Sequence, residues 1–189
     1  MPIKEFSKSK LIAIHALLTA IMMLFIFVPI TIGVLQLAFI PIIAVIISAL
    51  ILGWKHGALS GAIFGVISFV SAFVQPTILS LAFYNPLVSI VPRILIGITV
   101  YFSALAIKKI VPKCPDIVRY AVASAVGVLT NTTLVLGMIL LFHFGTDFSG
   151  LVIGWEWIVA TISGNFIIEI IVCTIVTPSI VMALKKVVK

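Results

Sequence analysis

Two ionisable and two carboxamide side chains lie within the long apolar stretches of this chain. They are Arg93, Asn131, Asn165 and Glu169. A guanidinium binds a carboxylate or phosphate through paired hydrogen bonds, and amide groups can complete the recognition of a small polar anion. Asn165 and Glu169 are four residues apart, so a helix would present both on one face. The set favours a site for a small anionic ligand, in which Glu169 accepts from ligand hydroxyls or amides or holds Arg93 in place.

Each of these residues also has a purely structural interpretation. Arg93 and Glu169 could form a buried ion pair, which would leave no cation for a ligand. Asn131, in the polar run "TNTT" at 130–133, could join two helices by a hydrogen bond. The sequence leaves both alternatives open.

The elements that position these residues are predicted from the lengths of the apolar runs. Of 189 residues, 63% are hydrophobic and 9% charged, against about 25% charged in soluble proteins. The runs are long and lack strict alternation, which predicts an all-α membrane protein rather than a barrel. We expect one domain, 1–189, that forms a bundle of six transmembrane helices. The predicted spans are 11–30, 37–52, 58–75, 87–107, 120–142 and 158–184.

The positive charges predict the orientation of this bundle. Lys and Arg residues outside the spans lie at the N-terminus, in the second and fourth connections and at the C-terminus. The first, third and fifth connections carry neither residue. This distribution places both termini in the cytoplasm. The net charge of +7 is therefore interpreted as a topology signal, not as a nucleic-acid-binding surface.

The third and fifth connections are candidate lids over a cavity on the outer side. Both are rich in apolar residues and in residues typical of turns, and ordinary surface loops would have the same composition. In the first span, "AIHALLTA" places Ala13, Ala16 and Ala20 at helical spacing. Such a stripe of small residues allows close approach of another helix, either a partner's or one from the same bundle.

The sequence contains no motif for chemistry of its own. A phosphate-binding GxxxxGK[ST] loop, an HExxH or GxSxG motif and a Cys/His cluster are all missing from the chain. We therefore predict no enzyme activity, cofactor or metal site. A small bundle of this kind with a binding pocket would need a partner to supply energy.

Several segments, taken in order, resemble the S component of energy-coupling factor (ECF) vitamin transporters. They are "AIHALLTA", "FIPIIAVIISALILGWKHGALSGAIFGVISFVSAF", "VPRILIG", "GVLTNTTLVLG" and "SGNFIIEIIV". The resemblance covers nearly the whole chain. It implies six helices, a vitamin bound near the outer side of a bacterial plasma membrane, and docking onto a transmembrane coupling protein that carries two ATPase subunits. It also implies that Ala16 and Ala20 face the coupling protein and that "TIGVLQ" is a gate over the pocket.

Within this family, the "PR", "TNT" and "GN…E" patterns are most similar to the pantothenate-type branch. Pantothenate has a carboxylate, hydroxyls and an amide, which suit Arg93, Asn131, Asn165 and Glu169. Further candidate ligand contacts are Gln36, Tyr84 and Asn85. The alternatives are a riboflavin or pyridoxine-type S component, a structural or assembly membrane protein and, third, a self-driven secondary transporter.

Overall fold

The computed structural model describes residues 7–28, 31–32, 35–36, 39–76, 79–148, 151–154 and 166–187. These residues form a helical bundle with two short hairpins in its connections. The helices are α1 (Lys8–Phe27), α2 (Phe39–Leu52), α3 (Trp54–Val74), α4 (Pro86–Ile110), α5 (Asp116–His143) and α6 (Ile167–Val187). The antiparallel pairs are β1 (Thr31–Ile32) with β2 (Leu35–Gln36) and β3 (Asp147–Phe148) with β4 (Leu151–Val152). A 3-10 turn, Leu79–Tyr84, precedes α4.

The helices confirm the predicted all-α fold. Each predicted span overlaps one described helix, and five of the helices in the described part of the chain are long and apolar enough to cross a membrane. The exception is α2, whose 14 residues extend about 21 Å, less than the roughly 30 Å of a hydrocarbon core. The first part of the predicted sixth span lies outside the described residues.

Helix α2 is the centre of the bundle. It is apolar on every side, a pattern typical of a helix that is surrounded by protein. All residues from Pro41 to Leu52 are buried, and α2 contacts each of the other five helices. In contrast, α1 is peripheral, because only Leu18 and Met22 of its residues are buried.

A stripe of glycines brings α3 and α4 into backbone contact. Gly57, Gly61 and Gly65 recur every fourth residue and therefore lie on one face of α3. A Cβ atom at Gly61 would overlap the carbonyl oxygen of Arg93, and one at Gly65 would lie 2.7 Å from Ile90 Cα. The missing side chains thus allow α3 to pack directly against the turn of α4 that carries Arg93.

We expect Gly61→Ala to lower the free energy of unfolding by about 1–3 kcal/mol, the usual cost of overpacking, because α3 and α4 must move apart. Gly137→Ala in α5 is the matched control, since nothing lies within 4 Å of a Cβ atom there. Thermal unfolding of the two purified variants in detergent measures the difference. Equal melting temperatures would contradict the close α3–α4 contact.

The bundle has a basic end, which we define as the end where α1, α3 and α5 begin and α2, α4 and α6 terminate. It carries Lys55, Lys108 and Lys185. A polar network joins three helices near this end. His15 Nε2 of α1 lies 3.0 Å from His56 Nδ1 of α3. Ser60 Oγ of α3 lies 3.2 Å from His15 Nδ1 and donates to Ser48 Oγ of α2 at 2.9 Å.

The connections at the opposite end pack onto the bundle. Ala82 of the 3-10 turn and Ile153, which follows β4, are both fully buried. They form one apolar cluster with Val88 of α4 and with Val135 and Ile139 of α5. The described parts of the third and fifth connections therefore pack against the ends of α4 and α5, and whether they act as lids stays a prediction.

Candidate substrate-binding site

Arg93 is held by a feature of its own helix. Asn85 caps α4, and Pro86 occupies its first turn, where a missing N–H costs nothing. Pro92 lies deeper in the helix, and its lack of an N–H deprives the Val88 carbonyl of its usual helical partner. Arg93 Nη1 donates to that oxygen at 2.7 Å. The dipeptide Pro92-Arg93 thus fixes the guanidinium against α4, about 10 Å from the helix start.

The guanidinium lies between two aromatic rings. Arg93 Cζ is 5.5 Å from the ring centroid of Phe64 in α3 and 5.1 Å from that of Phe83 in the 3-10 turn. Both distances suit a cation–π interaction. The side chain is only 6% exposed, and its Nε has no hydrogen-bond partner among the described residues. A buried donor of this kind is well placed to bind an anion.

Glu169 lies near enough to Arg93 for the two charges to interact electrostatically. It belongs to the first turn of α6 as described and is half-buried. No nitrogen of Arg93 comes within 4.0 Å of its carboxylate, so the described residues do not show the direct ion pair that the sequence left open. The carboxyl group of Glu169 therefore lies near Arg93 without occupying its donors.

Asn131 lies beside a contact between α4 and α5. Thr130 Oγ1 lies 3.1 Å from Thr99 Oγ1 of α4, and it also donates to Val126 O of its own helix. The carboxamide oxygen of Asn131 is buried and unpartnered in the described part of the chain. Among the described residues, Thr130 provides a side-chain hydrogen bond between α4 and α5. The polar run 130–133 thus contains a hydrogen bond to α4 and a carboxamide oxygen, that of Asn131, which has no partner among the described residues.

The third connection covers Arg93 through its 3-10 turn. Tyr84 stacks on Phe73 at the end of α3, with ring centroids 4.3 Å apart. Ser89 Oγ of α4 donates to Phe83 O at 2.6 Å, which fixes the neighbouring ring over the guanidinium. The Asn85 side-chain oxygen accepts from Leu87 N at 3.0 Å, so it serves the α4 cap.

The remaining sequence candidates fall into two groups. Gln36 is the last residue of β2 and pairs with Thr31 in the hairpin of the first connection, whereas Asn165 lies outside the described residues. Ala13, Ala16 and Ala20 are all exposed on α1. Their stripe is therefore not buried against the described part of the bundle.

Sequence reasoning missed the groups that surround Arg93. Phe64, Phe83 and Gly61 lie in other elements, and only the folded chain brings them to α4. The glycines of α3 offered a usable signal, because small residues at a spacing of four predict close helix packing. Phe64 and Phe83 offered no such signal, because nothing in the sequence distinguishes them from the many apolar residues around them.

Comparison with known proteins decides the family. The model of the family "ECF transporter, substrate-specific component" matches residues 10–181. The chain belongs to this family. As an S component it is a transporter subunit, not an enzyme, and a multi-pass protein of the plasma membrane, which agrees with the five helices of membrane-spanning length among its described residues.

Two relatives of this S component carry substrate names. Pantothenic acid transporter PanT of Lactococcus lactis subsp. cremoris (strain MG1363) is 36% identical over an alignment of 156 positions, which covers 75% of this chain and 74% of the relative. Pantothenate transporter PanT of Leuconostoc mesenteroides subsp. mesenteroides is 29% identical over an alignment of 197 positions, gaps included, which covers 92% of this chain and 91% of the relative.

Proposed function

We propose that this S component captures pantothenate and delivers it for import. The observation that carries the proposal is the buried guanidinium of Arg93, whose Nε has no partner among the described residues. Pantothenate offers a carboxylate to such a group. The names of the two relatives support the same vitamin.

The neighbouring polar groups suit the rest of this substrate. The unpartnered oxygen of Asn131 can accept from the amide or a hydroxyl of pantothenate. Glu169 can accept from a hydroxyl, and Asn165 would lie one helical turn earlier on the same face of a continuous helix. Gln36 and Tyr84 remain candidate contacts from the covering connections. Asn85 is the weakest candidate, because its side-chain oxygen caps α4.

The orientation and partners form the second part of the proposal. All six helices cross the membrane, and the basic end and both termini face the cytoplasm, as the distribution of Lys and Arg indicates. Arg93 then lies in the outer half of the bundle. The exposed stripe Ala13, Ala16 and Ala20 docks onto a transmembrane coupling protein that works with two ATPase subunits. The exposure of these alanines supports this role.

A matched pair of ligands tests the capture step. Panthenol has an alcohol where pantothenate has its carboxylate and is otherwise the same molecule. We expect it to bind at least about tenfold more weakly, since hydrogen bonds to charged groups contribute about 1.5–3 kcal/mol. Isothermal titration calorimetry on the purified chain in detergent measures both affinities.

Three outcomes of these titrations would contradict different parts of the proposal. Equal affinities would contradict carboxylate recognition at this site. Binding of riboflavin or pyridoxine in place of pantothenate would replace the substrate and leave vitamin capture intact. If a full vitamin panel gave no heat with a folded protein, vitamin capture by the isolated chain would be contradicted.

A further inference from the structure

Helix α1 is attached to the bundle by few apolar contacts. Only Leu18 and Met22 among its residues are buried. Apolar side chains give little driving force for helix association in a membrane, because lipid tails are equally apolar. Close packing and hydrogen bonds therefore decide how such a helix is oriented. The polar contacts of α1 deserve the same weight as its apolar ones when its orientation is explained.

A chain of hydrogen bonds joins α1 to α3 and α2. His15 Nε2 lies 3.0 Å from His56 Nδ1, and His15 Nδ1 lies 3.2 Å from Ser60 Oγ. Ser60 in turn donates to Ser48 Oγ of α2 at 2.9 Å. With the Ser60 hydrogen directed to Ser48, the Ser60 oxygen accepts from His15 Nδ1–H, and neutral His15 accepts at Nε2 from His56 Nδ1–H. Reversing the hydroxyl groups reverses every bond and still leaves one hydrogen between the two imidazoles.

The His15 ring is held at two points of the same helix face. His56 and Ser60 are four residues apart on α3, so they lie on one side of it, and each binds a different nitrogen of the ring. Ser60 is buried, whereas the two imidazoles are half-buried. A rotation of α1 about its axis would separate at least one ring nitrogen from its partner. The two bonds therefore resist such a rotation.

This attachment also sets the direction of the alanine stripe. Successive residues of an α-helix are about 100° apart, so Leu18 and Met22 lie within about 60° of His15 around α1. The alanines of the stripe lie about 100–160° from His15, on the other side of the helix. All three are exposed. Holding His15 against α3 thus turns the stripe away from the bundle.

We propose that the imidazole pair of His15 and His56 sets the rotation of α1 and so presents the alanine stripe to the coupling protein. The two histidines are positioning residues, because they act through the helix that docks. The inference rests on the docking role proposed above for this stripe. It adds a polar link inside the bundle to the requirements for docking.

Nuclear magnetic resonance on the full chain with isotopically labelled histidine nitrogens tests the link itself. The sequence contains three histidines, so the spectrum is simple, and His143→Asn identifies the signals of the third. We expect a scalar coupling between His15 Nε2 and His56 Nδ1 through their shared hydrogen at neutral pH. Absence of this coupling in the folded chain would overturn the proposal.

A matched pair of variants tests the effect on docking. We expect His56→Leu to associate with the coupling protein and its ATPases about threefold to tenfold more weakly, the usual effect of one lost hydrogen bond, with unchanged pantothenate affinity. Microscale thermophoresis in detergent measures the association, and calorimetry measures pantothenate binding. His56→Asn is the control. Its amide offers a donor and an acceptor near the position of Nδ1, so it should associate as wild type does.

The outcomes that would overturn the proposal are distinct. Equal weakening in His56→Asn would show that the hydrogen bond is not what matters, and normal association of His56→Leu would show that the link does not position α1. Loss of pantothenate binding in His56→Leu would indicate a change throughout the bundle. Ser60→Ala removes the other partner of His15 and should also weaken association, so it tests the link even if His56→Leu fails to fold. Normal association of Ala16→Trp would contradict the docking role of the stripe itself, and the inference with it.

Discussion

Replacing Arg93 with Gln is expected to weaken pantothenate binding by about 30-fold or more. Removing one partner from a buried, hydrogen-bonded charge pair costs about 2–5 kcal/mol. Arg93→Lys should recover only part of this loss, because an ammonium cannot form the paired hydrogen bonds of a guanidinium. Calorimetric titration of both variants with pantothenate and with panthenol measures these affinities. In Arg93→Gln the two ligands should bind about equally, since the group that distinguishes them has gone.

The same variants separate a ligand site from a structural charge. Lys113→Gln, an exposed residue at the basic end, should bind pantothenate as wild type does. If Arg93 served only the fold, Arg93→Gln would unfold at a lower temperature and adding Glu169→Gln would restore part of the stability. A stable Arg93→Gln with unchanged pantothenate affinity would contradict the proposed role of the guanidinium.

Ala16→Trp is expected to reduce pantothenate uptake to background while leaving binding to the isolated chain unchanged. Ala16 lies in the middle of the exposed stripe on α1, and a large side chain there would hold a partner helix away. Uptake of labelled pantothenate is measured in cells that also produce the coupling protein and the two ATPases. Calorimetry on the purified variant measures binding.

An exposed alanine on a different helix provides the control for added bulk. Ala106→Trp on α4 should transport normally, because it adds the same side chain outside the α1 stripe. Normal uptake by Ala16→Trp would show that the partner does not use this face. Loss of pantothenate binding in Ala16→Trp would mean that the change acts within the bundle instead.

The helices could be predicted from the sequence because membrane spans follow from local composition. A run of about 20 apolar residues predicts a membrane-spanning helix, and the Lys and Arg residues cluster in one set of the connections between spans. The central place of α2 was also open to prediction, since a helix without a polar face needs protein on all sides. The distance of Arg93 from the start of α4 followed from counting residues.

The surroundings of Arg93 depend on contacts between distant parts of the chain. Nothing near Phe64 or Phe83 distinguishes them from the other phenylalanines, because their role arises when α3 and the third connection meet α4. Asn85 shows the opposite case. An Asn directly before Pro is a local signal for a helix cap, and the structure uses it so.

In the proposed orientation, the shortness of α2 limits how deep a substrate can enter. With its last residue level with the basic face of a 30 Å layer, this helix of about 21 Å would stop about 9 Å below the other face. Arg93 lies about 10 Å below the start of α4, so the guanidinium and the first turn of α2 are at similar depth. In the proposed site, the first turn of α2 would then lie beneath the substrate. One added turn would bring this end of α2 about 5 Å nearer to the outer face, so the length of α2 would limit substrate size independently of the side chains around it.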